Sequence, residues 1–161
     1  MAPPTKALLA DTVRSIRDAL DDAGRDPYSA RIYAMTTVVT DATPEAARAK
    51  HEEYLSYADL EGALVLCSGW MGIDLSQYRL DEPVGNVHSN AIQSAVAAFQ
   101  QADDRGGEWT VGDIARWAAI GGLGPRVVGS GEEVADQLQD WVEATDVDGF
   151  NLAYAITPGS F

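Results

Sequence analysis

Two β-rich segments that lie far apart in the chain restrict its fold more than any other feature. Residues 30–40 and 149–156 are rich in β-branched and aromatic side chains, and their apolar residues do not alternate regularly with polar ones. Continuous apolar strands of this kind are typical of parallel sheets whose two faces are both covered. Two strands with helices on one side cannot bury both faces of a sheet. The pattern therefore predicts a piece of a larger α/β fold.

Along the chain, one helix is predicted before each of the two strands. The first covers residues 5–24, where apolar residues recur at spacings of three and four, and Gly24 ends it. The second covers residues 130–145 and begins with Ser130 and Glu133, which form the pattern of a capping box. Both helices therefore have an apolar face that a sheet would cover.

The region between the two strands is predicted to be mostly helical. Residues 43–125 begin with Thr43 and Pro44, a common helix start, and we interpret the whole region as one large insertion. Within it, Thr110 and Asp113 have the spacing of a capping box and predict the start of a short helix. Residues 126–129 are expected to be extended, but we do not count them as a third convincing strand. The 161 residues are thus assigned to a single partial domain in the order helix, strand, helical insertion, helix, strand.

Composition excludes several classes of function. The net charge is −14 and only 11 Lys and Arg residues are spread along the chain, which argues against a nucleic-acid surface. No run of about 18 apolar residues exists, so we expect no membrane span. Cys67, the one cysteine, cannot form an internal disulfide, and the N-terminus lacks the pattern of a signal peptide. These observations favour a cytoplasmic protein.

Few residues carry chemistry by their pattern alone. Cys67 lies in an apolar stretch and is interpreted as a core residue, and His51 lies among charged residues and is expected to be solvated. The segment Gly121–Pro125 lacks the Lys-Ser/Thr of a phosphate-binding loop and is expected to be a turn. No His, Cys and Asp residues have metal-ligand spacing, so no metal is predicted.

Six groups of residues in a fixed order resemble one family. The groups are Gly24-Arg25-Asp26-Pro27, Ser68-Gly69 with Gly72-Ile73-Asp74-Leu75-Ser76, Asn90-Ala91-Ile92-Gln93-Ser94, Thr110-Val111, Val128-Gly129-Ser130 with Glu133-Val134-Ala135-Asp136, and Asp148-Gly149-Phe150-Asn151-Leu152. In this order they resemble the C-terminal part of the nitrilotriacetate and dibenzothiophene-sulfone monooxygenases. These belong to a bacterial-luciferase-like, flavin-dependent group that also includes long-chain alkane and dimethyl-sulfide monooxygenases. The resemblance covers nearly the whole chain.

The resemblance implies a fold. Members of the group are (β/α)₈ TIM barrels, so residues 30–40 would be about the seventh strand and residues 149–156 the eighth. The helical insertion would then lie near the active-site mouth. Strands one to six have no counterpart in this sequence. The two predicted strands should be parallel neighbours, as consecutive barrel strands are.

The resemblance also implies an activity. It is that of a two-component monooxygenase, in which a separate flavin reductase supplies reduced FMN and one oxygen atom from O₂ is inserted into a small organic substrate. The lone chain is expected to be inactive, because most flavin-binding and catalytic residues of such enzymes lie in the missing part. The alternative is a non-catalytic remnant or subunit that self-associates, as a homo-oligomer, or pairs with a complementary chain.

Three residues are candidates for the site under this resemblance. His88 precedes a predicted helix in the insertion and is the catalytic candidate, although a loop histidine is the more frequent role of such a residue. Tyr154 and Asn151 lie on the last strand and are the cofactor-binding candidates, with barrel-core residues as the alternative. Thr36 and Thr37 could line the barrel interior, but threonine is also simply a good strand former.

Overall fold

The computed structural model describes residues 2–84, 108–157 and 159–160, and their chain divides into two compact units. One unit is Met1–His51 with Gly124–Phe161, and the other is Glu52–Leu123. The elements are α1 (Lys6–Asp22), β1 (Tyr33–Asp41), α2 (Pro44–Ser56), α3 (Leu60–Met71), a 3₁₀ turn (Leu75–Gln77), α4 (Val111–Ala118), β2 (Arg126–Ser130), α5 (Gly131–Thr145) and β3 (Gly149–Ala153). The assignment of the whole chain to one partial domain stays a prediction.

The first unit contains a parallel sheet of three strands in the order β2-β1-β3. β3 pairs with the first half of β1, from Tyr33 to Thr37, whereas β2 pairs with the second half, from Thr37 to Asp41. The prediction that the two β-rich segments are parallel neighbours is thereby confirmed.

The number of strands differs from the sequence prediction. Residues 126–130 form β2, a third sheet strand, where only two convincing strands were expected. The segment has a single apolar pair, Val127 and Val128, followed by Gly129, so its strand propensity is weak. These residues form a strand because they pair with β1. That contact joins segments that are distant in sequence, so local sequence patterns do not reveal it.

One apolar core joins the sheet to α1 and α5. Its buried residues come from α1, from the start of β1, from α5 and from the turn before β3, and Phe150 packs against them; they are Leu9, Val13, Ile32, Ala34, Trp141 and Val147. Because Ala34 and Phe150 are register partners, this core identifies the face of the sheet that α1 and α5 cover. Met35, the next residue along β1, points to the opposite face.

A buried arginine links the same elements through polar contacts. Arg17 on α1 donates to the Asp146 carboxylate (2.6 Å) and to the carbonyl of the same residue (2.9 Å). It also donates to the Pro27 carbonyl (3.1 Å) and the Asp148 carboxylate (3.3 Å), and its guanidinium lies 4.0 Å from the centre of the Tyr28 ring. The cluster fixes α1 against the end of α5 and the start of β3.

The second unit has its own core. α3 and α4 pack together with the 3₁₀ turn, and Trp109 meets Trp117 edge to face with ring centres 5.5 Å apart. Cys67 is fully buried there, as the sequence predicted, and burial raises the pKa of its thiol to about 11. Within the described ranges, no helix is both long enough and apolar enough to span a membrane.

Two helices begin with the capping boxes that the sequence predicts. Thr110 and Asp113 satisfy each other's backbone groups at the start of α4, and Ser130 and Glu133 do the same at the start of α5. Such reciprocal hydrogen bonds pair two donors that a helix start otherwise leaves unsatisfied. The start of α5 therefore follows β2 without an intervening loop.

Candidate functional site

The carboxyl ends of the three strands define the candidate site. In parallel α/β sheets, ligands bind beyond these ends. The edge is stepped here, because the last residue of β3, Ala153, is level with Thr37, whereas β1 and β2 continue to Asp41 and Ser130. At about 3.3 Å per residue, the four further residues of β1 extend about 13 Å beyond β3.

Asn151 lies on the face of the sheet away from α1 and α5. Its register partner is Met35, and its side chain is exposed. Asp41 lies six positions further along β1 than Met35, which corresponds to about 20 Å along the strand. Asn151 is thus exposed on this face, but it is far from the carboxyl end of β1.

Tyr154 follows the last residue of β3 directly. Its side chain is 65% exposed. It stands at the carboxyl end of its own strand, where the sequence placed it, yet the step in the edge leaves it level with the middle of β1. The structure therefore places Asn151 on β3 and Tyr154 directly after it, so that the two residues lie at different distances from the Asp41 end of β1.

Asp41 is a polar residue of this edge that sequence reasoning missed. Its carboxylate accepts hydrogen bonds from Lys50 Nζ (2.6 Å) and from the Ala42 amide (2.7 Å). Lys50 also donates to the Thr40 carbonyl (2.8 Å). The hydrogen bond from Lys50, followed by that from Ala42, holds the pKa of Asp41 below its ordinary value. An acid at the end of an apolar strand, directly before a helix start, was the available signal.

These contacts restrict what Asp41 can do. A carboxylate with a lowered pKa is a weak base near neutral pH, because efficient proton transfer needs a pKa close to the working pH. Ser130, the register partner of Asp41, is also engaged, since its hydroxyl accepts from the Glu133 amide at the start of α5. Both residues therefore shape this edge rather than supply an acid or a base.

A cavity of about 560 Å³ opens beside the ends of β1 and β2. The starts of α2 and α5 line it, and helix starts favour anions such as phosphate. Glu132, Glu133 and Asp136 line it as well, and their negative charges oppose an anion. The residues present therefore do not fit a flavin phosphate in this cavity.

The other residues singled out from the sequence are placed as follows. His88 lies outside the described residues. Thr36 and Thr37 are both buried and point to opposite faces of β1, and their hydroxyls have no hydrogen-bond partner among the described residues. His51 is half-buried with its Nε2 atom inside, so the expectation of a solvated side chain is wrong. It was based on charged sequence neighbours, which do not reveal the inner side of α2.

In the part of the chain that the structure describes, no three His, Cys, Asp or Glu side chains come together in a way that could hold a metal ion. The acidic residues at the strand ends are engaged in ion pairs and caps instead.

Comparisons with known proteins agree with this architecture. A family model described as luciferase-like monooxygenase matches residues 1–148. A dimethyl-sulfide monooxygenase of Hyphomicrobium sulfonivorans is 45% identical over 145 residues, which are 90% of this chain and 30% of that protein. The chain thus spans about a third of the length of this relative, and it corresponds to the C-terminal part.

Solved structures give the same correspondence. The crystal structure of DmoA from Hyphomicrobium sulfonivorans matches with a TM-score of 0.82 and 41% identity, over 99% of this chain and 33% of that one. A riboflavin lyase, solved with modified FMN and riboflavin, matches with a TM-score of 0.78 and 35% identity, over 99% and 34%. The chain belongs to the luciferase-like monooxygenase family, and its parallel strands and helices correspond to the C-terminal part of that family's TIM barrel.

Proposed function

We propose that the chain is the C-terminal part of an FMNH₂-dependent two-component monooxygenase, which inserts one oxygen atom from O₂ into a small organic substrate. The observation that carries this proposal is the match of residues 1–148 to the luciferase-like monooxygenase family. A flavin reductase is the partner that such an enzyme requires. Reduced FMN, when bound, supplies the reaction with O₂, and the protein orients the substrate and excludes water.

The face of the sheet that lies away from α1 and α5 supports this proposal. α1 and α5 cover the Ala34 face, so the Met35 face corresponds to the interior of a barrel, whose helices lie outside. Asn151 presents an amide on that face, and Tyr154 presents a phenol beyond the end of β3. Both groups can hydrogen-bond a flavin ring, and the tyrosine ring can also stack on it. His88 stays the proposed catalytic residue.

We assign the binding site of the flavin phosphate to another part of the barrel. Three carboxylates line the cavity at the starts of α2 and α5, so this chain's own helix starts are unsuited to a dianion. We infer that the phosphate is held by the part of the barrel that this chain does not contain. Tyr154 and Asn151 would then contact the ring rather than the phosphate.

The substrate class follows from the relatives. The dimethyl-sulfide monooxygenase shares 45% identity with this chain, whereas the long-chain alkane monooxygenase of Geobacillus thermodenitrificans shares 28%. A small organic sulfide is therefore the substrate that we propose first.

A chimaera tests the proposal. The chain would be joined to the N-terminal two thirds of the Hyphomicrobium sulfonivorans dimethyl-sulfide monooxygenase, supplied with a flavin reductase, and assayed for FMN binding and oxygen uptake. Tyr154→Ala should weaken FMN binding about tenfold, the loss of one stacking or hydrogen-bonding contact. Tyr57→Ala is the matched control, because Tyr57 is 80% exposed and lies in the other unit. Equal FMN affinity in the two variants would show that Tyr154 does not contact the flavin.

The catalytic candidate is tested in the same chimaera. His88→Ala should lower the turnover at least about tenfold, the low end of acid–base effects, without a matching loss of stability. An unchanged turnover would return His88 to the role of a loop residue. A chimaera that binds no flavin at all would contradict the proposed function as a whole.

A second function is favoured by one observation at the sheet edge. β3 has a strand neighbour on one side only within the described sheet, and exposed apolar side chains lie along and after it: Leu152, Tyr154 and Ile156. Unpaired strand edges invite pairing with another chain. The alternative is thus a non-catalytic subunit that self-associates or pairs with a complementary chain. A colourless oligomer would favour this alternative, and a yellow preparation with a flavin absorption band would favour the monooxygenase.

A further inference from the structure

We draw no further inference here: the strongest candidate, the exposed apolar face of α3 formed by Val65, Leu66 and Trp70, carries no proposal because nothing in the structure shows what covers it.

Discussion

Arg17 links α1 to the end of α5 and the start of β3 through its side chain. Its side chain is only 8% exposed, and it donates to two carboxylates and two carbonyls. A charge buried this far is tolerated only when its hydrogen bonds are made. This guanidinium therefore stabilises the contact between α1, α5 and β3 in addition to the apolar core that these elements share.

The first prediction concerns this group. Arg17→Met keeps most of the apolar stem but leaves Asp148, whose side chain is 10% exposed, without one of its cations. Breaking a buried pair from one side costs about 3 kcal/mol or more, and we expect a loss of that order in the free energy of unfolding in urea.

Arg14→Met is the matched control for Arg17→Met. Arg14 lies on the same helix, is 68% exposed and pairs only with Asp11 among the ion pairs of the described residues. Exposed pairs contribute about 0–1 kcal/mol, so this variant should unfold almost like the parent chain. Equal losses in the two variants would show that Arg17 is an ordinary surface charge.

The second prediction concerns pH. The amide of Ile32, then Arg31 and Arg17, hold the pKa of Asp148 below its ordinary value. A depressed pKa means that the native state favours the carboxylate, so this stability is present above the unfolded value of about 3.9 and is lost as the pH falls towards the native value. Asp148→Asn should therefore reduce the decline of Tm on acidification.

The measurement is Tm by circular dichroism, taken from about pH 6 to about pH 2, where the carboxylate titrates. Asp11→Asn serves as the comparison, because Asp11 is 70% exposed and lies in an exposed pair with Arg14. It should leave the acid decline unchanged. A parallel shift of the Asp148→Asn curve at all pH values would instead indicate lost packing without a titration effect.

The segment that leads into β2 is constrained by its close approach to β1. Gly124 passes so close to β1 that a Cβ atom placed there would lie 2.5 Å from the carbonyl oxygen of Met35. That oxygen belongs to the backbone, so it cannot rotate away as a side chain would. The loop before β2 therefore needs a glycine for reasons of space.

The third prediction uses this contact. Gly124→Ala should force β1 and β2 apart and lower the free energy of unfolding by about 1–3 kcal/mol, the usual cost of overpacking. Gly131→Ala is the control, because nothing lies within 4 Å of its Cβ position at the start of α5. The control should be neutral or slightly stabilising. Two equal losses would refute the close approach at Gly124.

Helix starts could be predicted from the sequence, whereas the pairing of β2 and the register of the strands could not. The capping patterns at Thr110 and Ser130 predicted the starts of α4 and α5, because a helix start is decided within four residues. β2 was not counted as a strand, since its state depends on contact with β1. The distance of Asn151 from Asp41 along the strand direction could not be predicted either, because the register is set by pairing between segments that are distant in sequence. The position of Asp41 at the end of an apolar strand was visible in the sequence, but its ion pair with Lys50 is a contact that only the structure reveals.

The 161-residue chain is short for the fold to which it belongs. A barrel of this kind needs about 250 residues and eight strands to remove its edges. The described sheet has three strands, and β3 exposes Leu152. Buried apolar surface contributes about 25 cal/mol per Å² to the free energy of folding. A lone monomer that leaves such surface exposed to water is therefore only marginally stable, because the entropy cost of ordering the chain is not offset.

The fourth prediction follows at this scale. The 161-residue chain by itself should self-associate or require a complementary chain, and it should neither bind FMN tightly nor turn over a substrate. Analytical ultracentrifugation over a range of concentrations, combined with an FMN fluorescence titration, measures both properties. A compact monomer that binds FMN tightly and is active would show that the chain is sufficient.

The register of β1 has a consequence for local opening. Thr37 is the one residue of the described sheet with register partners on both sides, Arg126 and Ala153, and its amide donates to the Pro125 carbonyl. β2 and β3 otherwise hold separate halves of β1, so either can detach while the other stays paired. In native-state hydrogen exchange, β2 and β3 amides should therefore exchange as two independent groups, and the Thr37 amide should be released with the β2 group.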